Sequence, residues 1–239
     1  MKLRRPTLLT AGATLCLMTS CAPAAVTREG REVNELYDIF FWVAAGVFAV
    51  TAGLIGWSLI RYRAKPGDNE LPEQFHQNLA LEITWFAIPQ VIVIVLFVLS
   101  AITLGQVNEE EPEADAIVHV TGFQWGWRFE YEGTEAEVVG TPEDPAEVMV
   151  PTGDVTFLLT SSDVVHNFYV PKFLLKRDLT PGRETRIDVD IEETGRYPGV
   201  CAEFCGLLHH QMTFTIEAVS PDEFESWLVE QEGGVDGDG

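Results

Sequence analysis

Cysteine, histidine and methionine crowd one short stretch near the C-terminal end, Cys201-Ala-Glu-Phe-Cys205-Gly-Leu-Leu-His209-His-Gln-Met212. Thiolate and thioether are soft ligands that suit copper, and imidazole serves copper equally well. A weak methionine beside cysteine and histidine is the ligand habit of electron-transfer copper sites. A Cys-x3-Cys spacing on a bent loop lets both sulfurs face one point, and Gly206 directly after Cys205 eases the sharp turn this needs. Three other chemistries compete. A disulfide suits an extracytoplasmic setting but leaves His209 and Met212 without a role. Zinc would use two cysteines and two histidines, yet the spacing fits no common finger and methionine is not a zinc ligand. A mononuclear blue-copper site needs one cysteine, so the second thiolate argues for two metals sharing a core. His209 and His210 both qualify as the nearby nitrogen ligand, and the segment alone leaves that choice open. His166, at the end of a strand pattern and before the aromatic run Asn-Phe-Tyr-Val-Pro171, is the best remote imidazole.

These residues sit in the half of the chain that reads as soluble. Long apolar runs occur only before residue 105. Residues 39–60 and 83–104 carry no charge, and each run is long enough to cross a hydrocarbon core of about 30 Å at about 1.5 Å per residue. Arg61, Arg63 and Lys65 follow the first run, which marks the connecting loop as cytoplasmic and both ends of the hairpin as external. Pro89 interrupts the second run, a feature that membrane helices tolerate. Upstream, Lys2, Arg4 and Arg5 precede a short apolar stretch at 7–18, the shape of a secretory signal. Met-Thr-Ser-Cys21 resembles a lipoprotein cleavage site, with Cys21 as the lipidated first residue of the mature chain. Cleavage after Ala25 and an uncleaved leader are the alternatives.

Beyond an acidic linker at 105–115 the periodicity changes to that of strands, at 117–120, 125–131, 155–159, 168–170, 186–191 and 213–219. Turn sequences such as Thr-Pro-Glu-Asp-Pro and Thr-Pro-Gly-Arg separate them. Short strands at this spacing predict a β-sandwich or barrel over 116–231. Ser220-Pro-Asp-Glu223 predicts a capped helix whose buried stripe is Phe224, Trp227 and Leu228. The Gly/Asp-rich tail 232–239 reads as disordered.

Charge is segregated in the same way. Residues 105–239 hold 29 Asp/Glu against 7 Lys/Arg, whereas residues 1–104 hold 8 of each, so the whole net charge of −22 belongs to the C-terminal part. Such a field repels nucleic acid and attracts basic partners. No Cys-x-x-Cys-His is present, so this chain attaches no c-type haem.

The pattern Cys201-x-Glu203-x-Cys205-Gly-x-x-His209-x-x-Met212, with Asp163-Val-x-His166 upstream, closely resembles cytochrome c oxidase subunit II. The likeness extends over the paired membrane spans, Gly122-Phe-Gln-Trp125-Gly-Trp127 and Lys176-x-Asp178-x-x-Pro181-Gly182. The resemblance implies a two-helix transmembrane hairpin (37–104) carrying an all-β cupredoxin-like sandwich on the outer face of a bacterial plasma membrane. It implies a binuclear copper A centre bridged by Cys201 and Cys205, with His166, His209, Met212 and the Glu203 carbonyl as further ligands; here the family pattern selects His209 over His210. The Glu203 carboxylate would reach a magnesium ion at the interface with subunit I. Trp125 would be where electrons arrive from cytochrome c, with Glu130 and Asp163 on the docking rim. Glu82 would open a proton path. The implied activity is that of cytochrome c oxidase, assembled from subunit I and further subunits in membrane lipid. Gly126 departs from the aromatic residue often found beside Trp125. A quinol oxidase subunit II would lack these copper ligands, and a copper carrier would need neither the tryptophan motif nor two spans.

Overall fold

The computed structural model describes residues 23–63, 67, 74 and 76–234, so the leader with Cys16 and Cys21 lies outside the described residues. The described residues form two compact units, one within 23–30 and 113–234 and one within 31–112.

The unit of residues 31–112 is helical. Helix α1 (Arg28–Arg61) and helix α2 (Leu79–Val107) are both long and apolar enough to cross a membrane. Each exceeds the charge-free run predicted from sequence. Apolar side chains such as Trp42, Phe48, Phe86 and Phe97 are exposed, as expected of helices whose solvent is lipid. Helix α2 continues through Pro89 without a break. Its start is closed from both sides: Leu81 N donates to Asn78 Oδ1 at 3.1 Å and Asn78 N donates to Glu82 Oε1 at 3.3 Å. The Glu82 carboxylate therefore has a local capping role, accepting from the main-chain N–H of the cap residue Asn78.

The other unit is a β-sandwich. One sheet contains β1 (Ala116–Phe123), β2 (Gly126–Tyr131), β3 (Glu137–Gly140), β5 (Gly153–Ser161) and β8 (Thr185–Ile191), in the order β3-β2-β1-β5-β8. The second contains β4 (Ala146–Pro151), β6 (His166–Val170), β7 (Leu175–Leu179), β9 (Gly195–Cys201) and β10 (Thr213–Val219), in the order β4-β10-β9-β6-β7. Alternate residues of β1 and β10 are buried, so each sheet gives one face to the core. Phe168 stacks on Phe214 at 4.9 Å between ring centroids, with Trp127 and Phe157 within 5.1 Å of one or the other. Each such pair contributes about 0.5–1.5 kcal/mol beyond burial of its area. Helix α3 (Pro221–Gly234) starts with the capping box read from sequence: Ser220 N donates to Glu223 Oε2 at 3.1 Å and Glu223 N to Ser220 Oγ at 3.4 Å. It continues into the Gly/Asp-rich stretch as far as Gly234; residues 235–239 lie outside the described residues.

A segment near the N-terminus also belongs to the sandwich. Val26 N donates to Lys172 O at 3.1 Å, while Glu192 N donates to Val26 O at 3.0 Å. Thr27 is fully buried and bridges to Ile191. The buried Glu29 carboxylate accepts from Asp190 N at 3.0 Å and pairs with Arg28 at 3.0 Å. Lys172 follows β6 in one sheet and Ile191 ends β8 in the other, so this strap ties the two sheets together. Removing a buried acceptor leaves its donor unsatisfied, at a cost of about 1–3 kcal/mol. Glu29→Ala should lower the unfolding midpoint of the sandwich accordingly, as followed by tryptophan fluorescence in denaturant; an unchanged midpoint would show the strap to be incidental.

Candidate metal centre

At one end of the sandwich, three local structures bring donor atoms together. The first is the turn entering β6. Ser161 Oγ bonds to Val164 O, and Asp163 Oδ1 accepts from Val164 N at 2.6 Å. The same carboxylate oxygen lies 2.9 Å from His166 Nε2. With Nε2 engaged by Asp163, Nδ1 is the ring nitrogen left to face the cysteines. Nδ1 faces Cys201 Sγ at 3.9 Å. Gly122 gives the imidazole its room: a Cβ there would stand 3.0 Å from the ring. Trp127 packs alongside, with ring centroids 6.3 Å apart.

The second structure is the loop joining β9 to β10. Cys201 N donates to Met212 O at 3.0 Å, which closes the loop at its base, and Ala202 N donates to Asn167 O at 3.1 Å, which fixes it to β6. Both thiols are free and buried, with their sulfurs 3.9 Å apart. The carbonyl of Glu203 is 3.3 Å from Cys201 Sγ. The third is the short 3-10 turn His209–Gln211, which puts His209 and Met212 on the same side. His209 Nδ1 is 3.6 Å and Met212 Sδ 3.8 Å from Cys205 Sγ. His210 is exposed and lies against Gln211 instead.

His166, Cys201, Glu203, Cys205, His209 and Met212 therefore form one continuous set of donors, and His166, Cys201, Cys205 and Met212 are buried within it. Two donors on one ion, at bonds of roughly 2.0–2.3 Å, stand roughly 3.3–3.8 Å apart at tetrahedral angles. The sulfur–nitrogen and sulfur–sulfur separations here lie at or just above that range. A buried thioether beside two thiols and two imidazoles suits copper and not zinc.

The electrostatics separate the two thiols. Burial pushes the Cys201 thiol up, but hydrogen bonds from His166 and the surrounding backbone outweigh it and bring the thiol down to about 6. Burial and the neighbouring Cys201 charge both push the Cys205 thiol up. Burial would also raise Asp163, yet its bonds to His166, Val164 and Gln124 hold it below the usual carboxylate range.

The remaining residues singled out from sequence are spread out. Trp125 lies in the turn between β1 and β2, half-buried, with Nε1 donating to Cys205 O at 3.2 Å. Glu130 is exposed on β2, opposite His119 on β1. The Glu203 side chain is exposed, while Glu82 belongs to the helical unit. Asp163, expected on a docking rim, is also the partner that orients His166. Gln124, Gly122 and Trp127 lie within the quoted tryptophan motif, but nothing in their spacing marks them as neighbours of the cluster.

Features of this kind define a class: a membrane-anchored cupredoxin-like domain with a buried cysteine, histidine and methionine centre. Residues 17–102 match the family described as cytochrome c oxidase subunit II, transmembrane domain, and residues 142–219 match cytochrome c oxidase subunit II, periplasmic domain. A probable cytochrome c oxidase subunit 2 of Nocardia farcinica is 30% identical over 93% of this chain and 80% of its own length. The cytochrome c oxidase subunit 2 of Alkalihalophilus pseudofirmus is 34% identical over 85% of this chain and 60% of its own length. The solved periplasmic domain of cytochrome oxidase subunit II from Bradyrhizobium japonicum is 30% identical, with a TM-score of 0.47, over 52% of this chain and 97% of that one. The chain belongs to the cytochrome c oxidase subunit II family.

Outer partners that orient a ligating imidazole typically matter about 10–100-fold in metal affinity. Asp163→Ala should weaken copper binding by about that factor, measured by competition against a chelator. Unaltered affinity would show that the carboxylate does not orient His166.

Proposed function

We propose that this chain is the electron-accepting subunit of a cytochrome c oxidase, holding a binuclear copper A centre on the outer face of a bacterial plasma membrane. The observation that carries the reading is the continuous set of two thiols, two imidazoles, a thioether and a carbonyl, with both thiols, the thioether and His166 buried. A copper pair held there would supply one-electron storage between cytochrome c and the haem of subunit I, in an oxidase that reduces oxygen to water with proton translocation.

The residues divide the remaining work. Cys201 and Cys205 would be the thiolate ligands shared by the pair, His166 and His209 its imidazole ligands, and Met212 and the Glu203 carbonyl its weaker ones. Burial at the end of a rigid sandwich keeps water from the sulfurs and limits their movement, so that little rearrangement accompanies a change of charge. Trp125 touches the Cys205 carbonyl from the partly exposed side, which supports its role as the point where electrons arrive. The exposed Glu203 carboxylate is free to serve a magnesium ion at the contact with subunit I. Glu82, besides capping α2, leaves its carboxylate exposed for a proton path.

The acidic balance of residues 105–239 supports steering of a basic cytochrome. Glu130 is the cleaner probe of docking, since Asp163 also holds His166. Arg61 at the end of α1 and Arg63 just beyond it support a cytoplasmic connection and an external sandwich. An exported, lipidated N-terminus at Cys21 is consistent with that orientation.

Two results test the reading. The copper-loaded chain should bind two coppers and give the mixed-valence paramagnetic signal of one electron shared between them, and Cys205→Ser should abolish it; a signal that survives would disprove the bridging assignment. Glu130→Lys should slow oxidation of cytochrome c at low salt and flatten the dependence of the rate on ionic strength. Equal rates and equal salt dependence would remove Glu130 from the docking face.

A further inference from the structure

Trp125 does not hold its position alone. Its neighbour Gln124 is exposed and is not a donor to the metal cluster, yet it bonds to both sides of it. Gln124 Nε2 donates to Cys205 O at 2.7 Å, the same carbonyl that takes Trp125 Nε1 at 3.2 Å. A carbonyl only accepts, so the amide must present its nitrogen. From its main chain, Gln124 N donates to Asp163 Oδ2 at 2.6 Å, and the other oxygen of that carboxylate meets His166. One residue thus joins the turn that holds His166 to the loop that holds both cysteines, with the indole beside it.

Position 206 fits the same reading. Gly206 has φ +123°, and a Cβ there would lie 3.0 Å from Trp125 Cζ2 and 3.1 Å from Gln124 Nε2. Backbone strain and lost space would both oppose any larger residue. The close approach of Gln124 and Trp125 to the loop is therefore built in from both partners.

We propose that Gln124 is a positioning residue that holds the Trp125 indole against the Cys205 carbonyl and clamps the two halves of the metal site together. This rests on Trp125 being the point of electron uptake. The longer of the two bonds to the shared carbonyl is the indole's own, and the shorter amide bond keeps that carbonyl turned toward it. Loss of the amide donor frees the loop to rotate its carbonyl away, and a displacement of this kind strongly slows a reaction that depends on contact.

Gln124→Met keeps the length of the side chain and the main-chain bond to Asp163 while removing the donor. It is compared with Trp125→Phe in the assembled oxidase, with copper content, the copper paramagnetic spectrum, cytochrome c affinity and the limiting rate of flash-initiated electron uptake all measured. Gln124→Met should retain both coppers and cytochrome affinity, alter the hyperfine pattern, and slow the limiting rate by about tenfold. In the metal-free full-length chain it should speed hydrogen exchange of the Trp125 indole N–H, a readout that needs no copper and decides the matter if the variant fails to load. A normal rate and spectrum in Gln124→Met beside a slow Trp125→Phe would overturn the positioning role and leave electron uptake at Trp125 intact. Normal rates in both variants would overturn both. Weaker cytochrome binding with a normal limiting rate would make Gln124 a docking group only, as would unchanged indole exchange, and either overturns the proposal.

Discussion

The hydrogen bond from Cys201 N to Met212 O closes the loop on which five of the six donors ride. A chain segment with two thiols, an imidazole and a thioether has many ways to scatter them, and ordering it costs conformational entropy. Here that cost is met by the sandwich. The loop begins where β9 ends and finishes where β10 starts, and those strands are already paired from Val200 opposite Thr213 onward. Closure at the base leaves the 3-10 turn to set His209 and Met212, while Gly206 makes the bend after Cys205. Only His166 comes from elsewhere, and β6 delivers it through its register with β9, in which Phe168 faces Cys201.

The donors were legible because five of them are close in sequence and their types are rare together. His166 was legible only as a lone imidazole before an aromatic run, and its orientation was not, since the Asp163 contact depends on how a turn is folded. The choice between His209 and His210 illustrates the same limit. Periodicity treats the neighbours alike, and the 3-10 turn is what sends one inward and the other to solvent. Gln124 was hidden because its partners, Cys205 and Asp163, are remote in sequence.

In the fold, the strands with clear alternation were predicted from sequence, while β3, β4, β7 and β9 were not. β3 is only four residues long and lies at a sheet edge. β7 is a charged edge strand, Leu-Lys-Arg-Asp-Leu, with one buried residue at its end. β9 contains Gly195, Pro198 and Gly199, which argue against a strand. Pro198 is tolerated because β6 meets β9 only at Val200 and Cys201, so proline faces a single partner, Thr215. The strap at residues 26–30 carried no strand pattern at all. It joins the sandwich through two main-chain bonds and the buried Glu29, which are tertiary features.

Whether the donor cluster holds two metals in one shared site is the central question, and X-ray absorption at the copper edge of the loaded full-length chain tests it most directly. A shared site gives each copper sulfur and nitrogen neighbours together with a second copper as a nearby scatterer. A spectrum of isolated copper, with sulfur and nitrogen neighbours and no copper–copper contribution, would contradict it.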